Sequence, residues 1–497
     1  MNKKVIVIGA GCSGLATAVK LQYLGYKVKI FEKNPNAGGR IYRIQEKGYI
    51  FDYGPTITLL PNEYKHVFES TNSNYKDYYD ITPLKTLYEL HYSDNSSIKI
   101  SSEFSKLIAE VQKFGDHEVS GYISFLSDLN KKYQLANKNF LERDLRKREL
   151  FRPTMIRNIL RLTPFQNAYK LLSKYIKSEK LRQALSFQTL YIGLSPFQGP
   201  SIYNIISMIE HTYGIHYIKG GMYSYVEALV KRFKELGGEI VFDSPVKEII
   251  VENGSAVGIR LSDRIEKADI IVNNSDFPWA IENLIKNENN RKKYRNKKLR
   301  KFKYSSSVMI IYLGLKKKYS SEVHSLKFSS NFKRNIYELN NGIIPNDPSF
   351  YLYSPTQIDQ SLAPKGKEIL NILVPVPNTF KEDVWDKSFT SEYSKKIIDL
   401  VSKLEKYSDI KENIEVIKVS NPNDWKAKFN LNYGSTFGLM PSLDQSLYFR
   451  PQVKIKEIKN LYFSGSSVHP GPGIPIVLKS SKIVVNKILE DNNDSIR

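Results

Sequence analysis

Six residues near the N-terminus carry the first chemistry: Gly9-Ala10-Gly11-Cys12-Ser13-Gly14, a GxGxxG run. Glycine at the first position permits a tight turn. At the second it lets backbone approach a pyrophosphate, and at the third it allows close helix–strand packing. A helix opening at this point aims free N–H groups and the positive end of its dipole at phosphate. Glu32, 18 residues after Gly14, can accept from a ribose hydroxyl, and an acidic residue there favours an unphosphorylated adenosine ribose. Cys12 is read as a small packing residue, because a single cysteine has no redox partner and builds neither a disulfide nor a Cys-rich metal site.

Such a motif has meaning only between a strand and a helix. The pattern predicts a buried strand over 5–8, a helix over 13–24 closed by Gly25, and a second strand over 27–32. A polar, aromatic stretch runs to about 100. Residues 101–222 are mainly helical, and basic from Arg143 to Arg182. A helix over 224–236, a turn at Gly237-Gly238, paired strands over 239–242 and 246–261, and a short strand over 268–273 follow. Residues 274–304 form a charged helical connector, and 305–450 mix strands with helices. The chain ends in a strand over 460–464, a Gly/Pro turn and a helix over 475–489.

Further glycine-rich segments lie along this frame. Lys33 leads to Gly38-Gly39-Arg40, where backbone can pass close to a ligand and Arg40 can neutralise phosphate or orient substrate. Gly54-Pro55-Thr56 makes a second tight approach, and Val246 follows the turn Asp243-Ser244-Pro245. The most specific stretch runs from Leu461 through Ser464-Gly465-Ser466-Ser467-Val468-His469-Pro470-Gly471-Pro472-Gly473-Ile474-Pro475. Together these resemble the FAD-dependent amine oxidase superfamily and, within it, the carotenoid and phytoene desaturases. The resemblance implies FAD, with the opening segment and Val246 around the adenosine and pyrophosphate and Gly-Gly-Arg nearer the flavin. It places Gly465 under the ribityl–phosphate chain and starts a helix at Gly473-Ile474 aimed at the flavin, where its dipole would stabilise negative charge. The stretches Phe187–Gly193, His216–Tyr223, Phe437–Pro441 and Arg450-Pro451-Gln452 look like those of bacterial dehydrosqualene (4,4′-diapophytoene) desaturases. That likeness implies successive double bonds introduced into a thirty-carbon polyene toward 4,4′-diaponeurosporene. A carotenoid oxygenase acting on terminal methyl groups is the alternative on the same scaffold. A non-catalytic flavin or nucleic-acid-binding protein is the alternative of another class, which explains the charge but not the motifs.

Composition sets the remaining bounds. The 497 residues are 41% hydrophobic and 25% charged, enough for a sizeable core. No run of about 18 apolar residues predicts a membrane span, and the opening apolar run is too short for a signal peptide. The net charge of +23 implies attraction to a polyanion, nucleic acid or an anionic membrane surface. Residues 291–303 are basic without an acidic residue but lack a nucleic-acid recognition module. Residues 143–161 interleave arginines with apolar residues, and Pro153 should split them into two helical pieces lying at an interface. The histidines form no metal pattern. His469 and Arg40 are the only polar catalytic candidates, both read first as pocket-shaping or anchoring groups, and Asp52 is read as a turn residue.

The expected fold is α/β: a Rossmann-like FAD-binding domain in three pieces (1–95, 223–290, 456–497), interleaved with a mixed-sheet substrate domain (291–455) and a helical, membrane-facing region (96–222). The expected partners are a polyene hydrocarbon and a membrane surface, with neither nucleic acid nor metal. The expected place is the cytoplasm, peripheral to the cell membrane.

Overall fold

A computed structural model describes residues 3–145 and 147–493. At its centre lies a five-stranded parallel sheet in the order Leu461–Phe463, Ile270–Asn273, Lys4–Ile8, Lys27–Phe31, Glu239–Val241. Both faces are covered, so Lys4–Ile8, Ile270–Asn273 and Leu461–Phe463 are mainly apolar runs rather than alternating strands. Val5 and Val7 point to the helices Cys12–Tyr23, Tyr223–Glu235 and Ile474–Asn492. Ile6 and Ile8 point to the strands Glu248–Glu252 and Ser255–Arg260 and the helix Phe277–Leu284. The chain leaves Lys4–Ile8 toward Lys27–Phe31 on one side, whereas Ile270–Asn273 lies on the other. Ligands of open α/β sheets bind in the crevice at such a switch, outside the carboxyl ends of the strands.

One predicted pairing differs. Glu239–Val241 pairs with Lys29–Phe31 in the parallel sheet, not with the strands that follow it. Those strands pair with each other and with Ile265–Lys267. The intervening turn explains the break: Asp243 has φ +51°, Pro245 carries no N–H, and the Ser244 N–H is taken by the Glu32 carbonyl at 2.9 Å.

A second, seven-stranded sheet has the order Ile414–Ser420, Ser307–Leu315, Glu368–Val376, Phe350–Tyr353, His324–Lys327, Thr86–His91, Ser97–Ser101. Helices Asp116–Ala136 and Ile205–Tyr213 pack against its far end. Pro153 does open a separate helix, Pro153–Arg161, at the position where its missing N–H is harmless. Arg146 lies outside the described residues, as do the side chains of Lys147 and Leu150.

The helical layer is tied to the C-terminal loop by buried polar groups. His469 Nε2 lies 2.9 Å from the Phe140 carbonyl and 3.1 Å from that of Arg143. Both partners are acceptors, so this nitrogen carries the hydrogen. Arg450, fully buried, donates to the carbonyls of Val468, Leu439, Gln445 and Ser466. Lys479 bridges Glu63 at 2.6 Å and Glu142 at 2.8 Å.

Burial pushes His469 down to about 4, and His211 and His324 are likewise held low, at about 4 and about 3. Their folded values lie below the unfolded value of about 6.5. Their stabilisation is therefore full above that value and lost as pH falls toward the folded ones. The urea midpoint is expected to fall with acidification over this window. His469→Gln should lower stability at neutral pH and make the acid dependence shallower, because one proton uptake is removed. An acid slope identical in the variant would contradict this account.

Candidate functional site

The crevice at the switch point opens into a cavity of about 570 Å³. Gly9, Gly11, Cys12 and Ser13 line it from the first turn, with Glu32 and Lys33 from the end of the second strand. Gly38, Gly39, Arg40, Gly54 and Pro55 come from the next loops, Val246 from the turn after Asp243, and Gly465, Gly473 and Ile474 from the C-terminal stretch. Three of the residues read from sequence stand elsewhere. Ala10 is buried behind the turn and donates its N–H to Glu32 Oε2 at 2.7 Å. Gly14 packs against the strand end, where a Cβ would lie 2.5 Å from the Gly9 carbonyl. Thr56 faces a second cavity and bonds Tyr351 Oη at 2.9 Å.

Backbone geometry suits the first cavity to a phosphate-bearing ligand. The helices Cys12–Tyr23 and Ile474–Asn492 both begin on its wall, at Gly11 and Gly473, and neither has a side-chain N-cap. Two sets of free N–H groups and two positive dipole ends thus converge on one space. A Cβ at Gly11 would come within 2.6 Å of Asn274 Oδ1, so any side chain there must displace the Asn274 amide. At Gly54 a Cβ would sit 2.0 Å from the Arg40 carbonyl.

The side chains around these loops are mostly committed. Glu32 accepts from the backbone N–H groups of Ala10 (2.7 Å) and Asn34 (2.9 Å), which pins the two ends of the ligand loop together. Lys33 reaches Asn430 Oδ1 at 2.8 Å and the Ala427 carbonyl at 3.0 Å. Arg40 donates to the Thr436 carbonyl at 2.7 Å and to Ser466 Oγ at 2.6 Å, linking the N-terminal and C-terminal loops. Burial lowers its guanidinium pKa while the nearby Asp276 opposes that shift. Burial pushes the Cys12 thiol up to about 12, which suppresses the thiolate and leaves a packing residue. Asp52 accepts from the N–H groups of Met222 (3.0 Å) and Tyr223 (3.2 Å) at the start of the helix Tyr223–Glu235. His469 lines neither cavity.

Asn274, Ser275 and Asp276 escaped the sequence reading although all three line the cavity. Asn274 Nδ2 donates to the Ser464 carbonyl at 3.0 Å, joining the ends of two strands that are distant in sequence. Ser467 donates to Asp276. Their one signal was their position directly after the strand Ile270–Asn273, where a switch point puts its ligand contacts.

The second cavity, about 400 Å³, is walled largely by aliphatic and aromatic side chains, including Ile57, Ile159, Leu162, Phe187, Ile209 and Phe332. It shares a wall with the first. Gly54, Pro55, Gly473, Ile474, Val308 and Leu373 are among the residues that line both.

Residues 12–489 match the family described as flavin containing amine oxidoreductase. A 4,4′-diapophytoene desaturase (4,4′-diaponeurosporene-forming) of Staphylococcus haemolyticus is 38% identical over 494 residues, 98% of this chain and 99% of that protein. The protein of the same name from Staphylococcus aureus (strain Newman) is 38% identical over 496 residues, covering 98% and 99%. Solved structures agree in fold. An oxidoreductase from Methanosarcina mazei has a TM-score of 0.64 at 18% identity, over 98% of this chain and 100% of that one. Putrescine oxidase bound to putrescine has a TM-score of 0.64 at 12% identity, over 99% of both chains.

Two outcomes test the site. Gly11→Val should abolish FAD content in purified protein, whereas Cys12→Ala should retain it; equal content in both would contradict the loop geometry. Glu32→Ala should lower the stability of flavin-free protein by about 1–3 kcal/mol, because two backbone N–H groups lose their acceptor. A flavin-free variant as stable as wild type would show that Glu32 does not hold the loop.

Proposed function

We propose that this chain, which belongs to the flavin-containing amine oxidoreductase family, uses FAD to introduce successive double bonds into dehydrosqualene (4,4′-diapophytoene) toward 4,4′-diaponeurosporene. The observation that carries this reading is the shared wall between a glycine-lined cavity and an apolar one. The near full-length likeness to desaturases of that name supports the same substrate.

Gly9, Gly11, Cys12 and Ser13 would hold the pyrophosphate, and Glu32, Lys33 and Val246 would flank the adenosine. Gly38–Arg40, Gly54, Pro55, Gly465, Gly473 and Ile474 would surround the flavin end, with Asn274 and Asp276 beside them. Bound there, FAD supplies the two-electron acceptor that making a C=C bond from a saturated C–C bond requires. The protein supplies position and dryness. A polyene has no polar handle, so its affinity comes from apolar burial at about 25 cal/mol per Å². The shared wall then decides which carbon faces the oxidant, and Val308, Leu373 and Phe437 keep water from the junction.

A hydrocarbon of this kind resides in a bilayer, and no helix among the described residues is long and apolar enough to cross one. The proposed place of work is therefore the membrane surface, reached from the cytoplasm. The helix Pro153–Arg161 supports this. Its Ile159, and Leu162 and Pro164 just beyond, line the apolar cavity, while Phe151, Ile156, Leu160 and Phe165 project outward at 68%, 44%, 56% and 81% exposure. Arg152, Arg157 and Arg161 are exposed among them. The basic run 291–303 is less uniform than its sequence implies. Arg291 is buried and donates to the carbonyls of Ile285 and Glu282, but the other basic residues are exposed. Lys303 pairs with Asp444 at 2.8 Å, beside Leu443 on the rim of the apolar cavity.

Co-expression with a dehydrosqualene synthase should give longer chromophores without added oxygen. Oxygenated pigment would favour the methyl-oxidising alternative, and no change in pigment would overturn the desaturase reading. Purified protein should pellet with anionic liposomes at low salt and much less with neutral ones. Substituting Phe151, Ile156 and Leu160 by Ser should impair binding at high salt, where screening leaves the apolar contribution. Normal binding by that variant would exclude the segment as the docking element.

A further inference from the structure

Among the described residues that line both cavities, Tyr191 alone has an ionisable side chain. It lies in the short helix Phe187–Ile192 and is not isolated. Its hydroxyl is 2.6 Å from the hydroxyl of Tyr88, on the strand Thr86–His91. Tyr88 in turn donates to Glu210 Oε1 at 2.8 Å, on the helix Ile205–Tyr213. Tyr88 has one hydrogen and gives it to the carboxyl group, so Tyr191 is the donor between the two tyrosines. That order leaves an acceptor lone pair on the Tyr191 oxygen.

The far end of the chain is also distinctive. Glu210 is fully buried, and among the described residues its Oε2 has no hydrogen-bond partner, nor has Oε1 of the neighbouring Gln188. Burial pushes the carboxyl up to about 8, while the hydrogen bond from Tyr88 and the adjacent Gln188 oppose that shift. The other titratable groups facing the cluster are neutral around neutral pH. Burial raises Tyr88, Tyr191 and Tyr351, and it holds His324, bonded to Tyr351 Oη at 2.6 Å, at about 3. This deeply buried carboxyl is joined through two hydroxyls to the wall that the cavities share.

We propose that Tyr191 takes the proton released when a substrate C–C bond becomes a double bond, and that Tyr88 and Glu210 carry that proton away. The assignment rests on the desaturase reading. One C–H bond breaks, and its electron pair becomes the new π bond to the neighbouring carbon. That carbon's own hydrogen leaves with its electron pair to the flavin, the oxidant that the proposed activity already requires. The proton passes to the Tyr191 oxygen, the Tyr191 hydrogen to Tyr88, and the Tyr88 hydrogen to Glu210 Oε1. Glu210 starts the step as a carboxylate and ends it as the neutral acid. Tyr191 is the catalytic residue; Tyr88 and Glu210 act through it.

The test uses flavin-loaded enzyme with dehydrosqualene in phospholipid vesicles, and the variants Tyr191→Phe, Tyr88→Phe and Glu210→Gln. Each should keep its flavin and its KM while kcat falls by about 10²-fold or more. Wild-type kcat should rise as pH rises through the Glu210 value, and Glu210→Gln should lose that limb. Infrared spectra of the wild-type holoenzyme should lose a protonated-carboxyl band over the same pH range. The band should be absent in Glu210→Gln and shifted in Tyr88→Phe. Asp52 and Glu368, held high by burial elsewhere, keep their bands in every variant; wild-type kcat in Tyr191→Phe, or a carboxyl spectrum identical in wild type and Glu210→Gln, overturns the proposal. If Glu210→Gln fails to fold, Tyr191→Phe decides, because the ring remains and only the hydroxyl is lost. A wild-type enzyme that forms no product defeats the desaturase reading instead, and the infrared titration still reports whether the carboxyl and the tyrosines are coupled.

Discussion

A hydrocarbon gives a protein no polar atom to hold, so the reacting carbon has to be placed by the shape of a wall. Here that wall stands between two unlike solvents. On one side are glycine loops and helix N-termini suited to phosphate and a polar cofactor; on the other are aliphatic and aromatic side chains. Gly54, Pro55, Gly473 and Ile474 belong to both sides. The wall can be thin only where side chains are missing, as the 2.0 Å approach of a Gly54 Cβ to the Arg40 carbonyl makes plain.

Loops of this kind have little apolar surface of their own and must be held from outside. The parallel sheet delivers three of them to one edge, because Lys4–Ile8, Ile270–Asn273 and Leu461–Phe463 are neighbours. Buried and half-buried polar bonds then lock the delivered ends: Glu32 to Ala10, Asn274 to Ser464, Arg40 to Ser466 and Arg450 to the carbonyls around Val468. Removing one partner leaves the other buried and unsatisfied, so each bond matters more than its net contribution implies. Lys479 and His469 extend the same lock to the helical layer beside the apolar cavity.

Much of this was legible in the residues. The spacing of Gly9, Gly11 and Gly14 and the apolar run before them define the strand, the turn and the helix, because local sterics decide all three. The C-terminal strand, turn and helix were equally plain. The pairing of Glu239–Val241 was not, since periodicity says where a strand lies but not which neighbour it takes; a proline and a left-handed aspartate decided that. Asn274 and Asp276 escaped for a related reason. Their importance comes from strand order, which brings residue 274 beside residue 11. The Tyr191–Tyr88–Glu210 chain joins a short helix, a strand and a longer helix, so no local pattern announces it. Within the basic run 291–303, composition alone does not tell Arg291, which turns inward to its own helix ends, from the exposed basic residues around it.

On the proposed function, the two cavities meet so that a hydrocarbon is oxidised directly by the flavin across the shared wall. Anaerobic mixing of flavin-loaded protein with dehydrosqualene in vesicles reads this out. The oxidised-flavin absorbance should bleach at the rate the new double bond appears, one double bond per flavin. Flavin that keeps its oxidised spectrum while double bonds form, or that bleaches with no change in the hydrocarbon, would contradict the account.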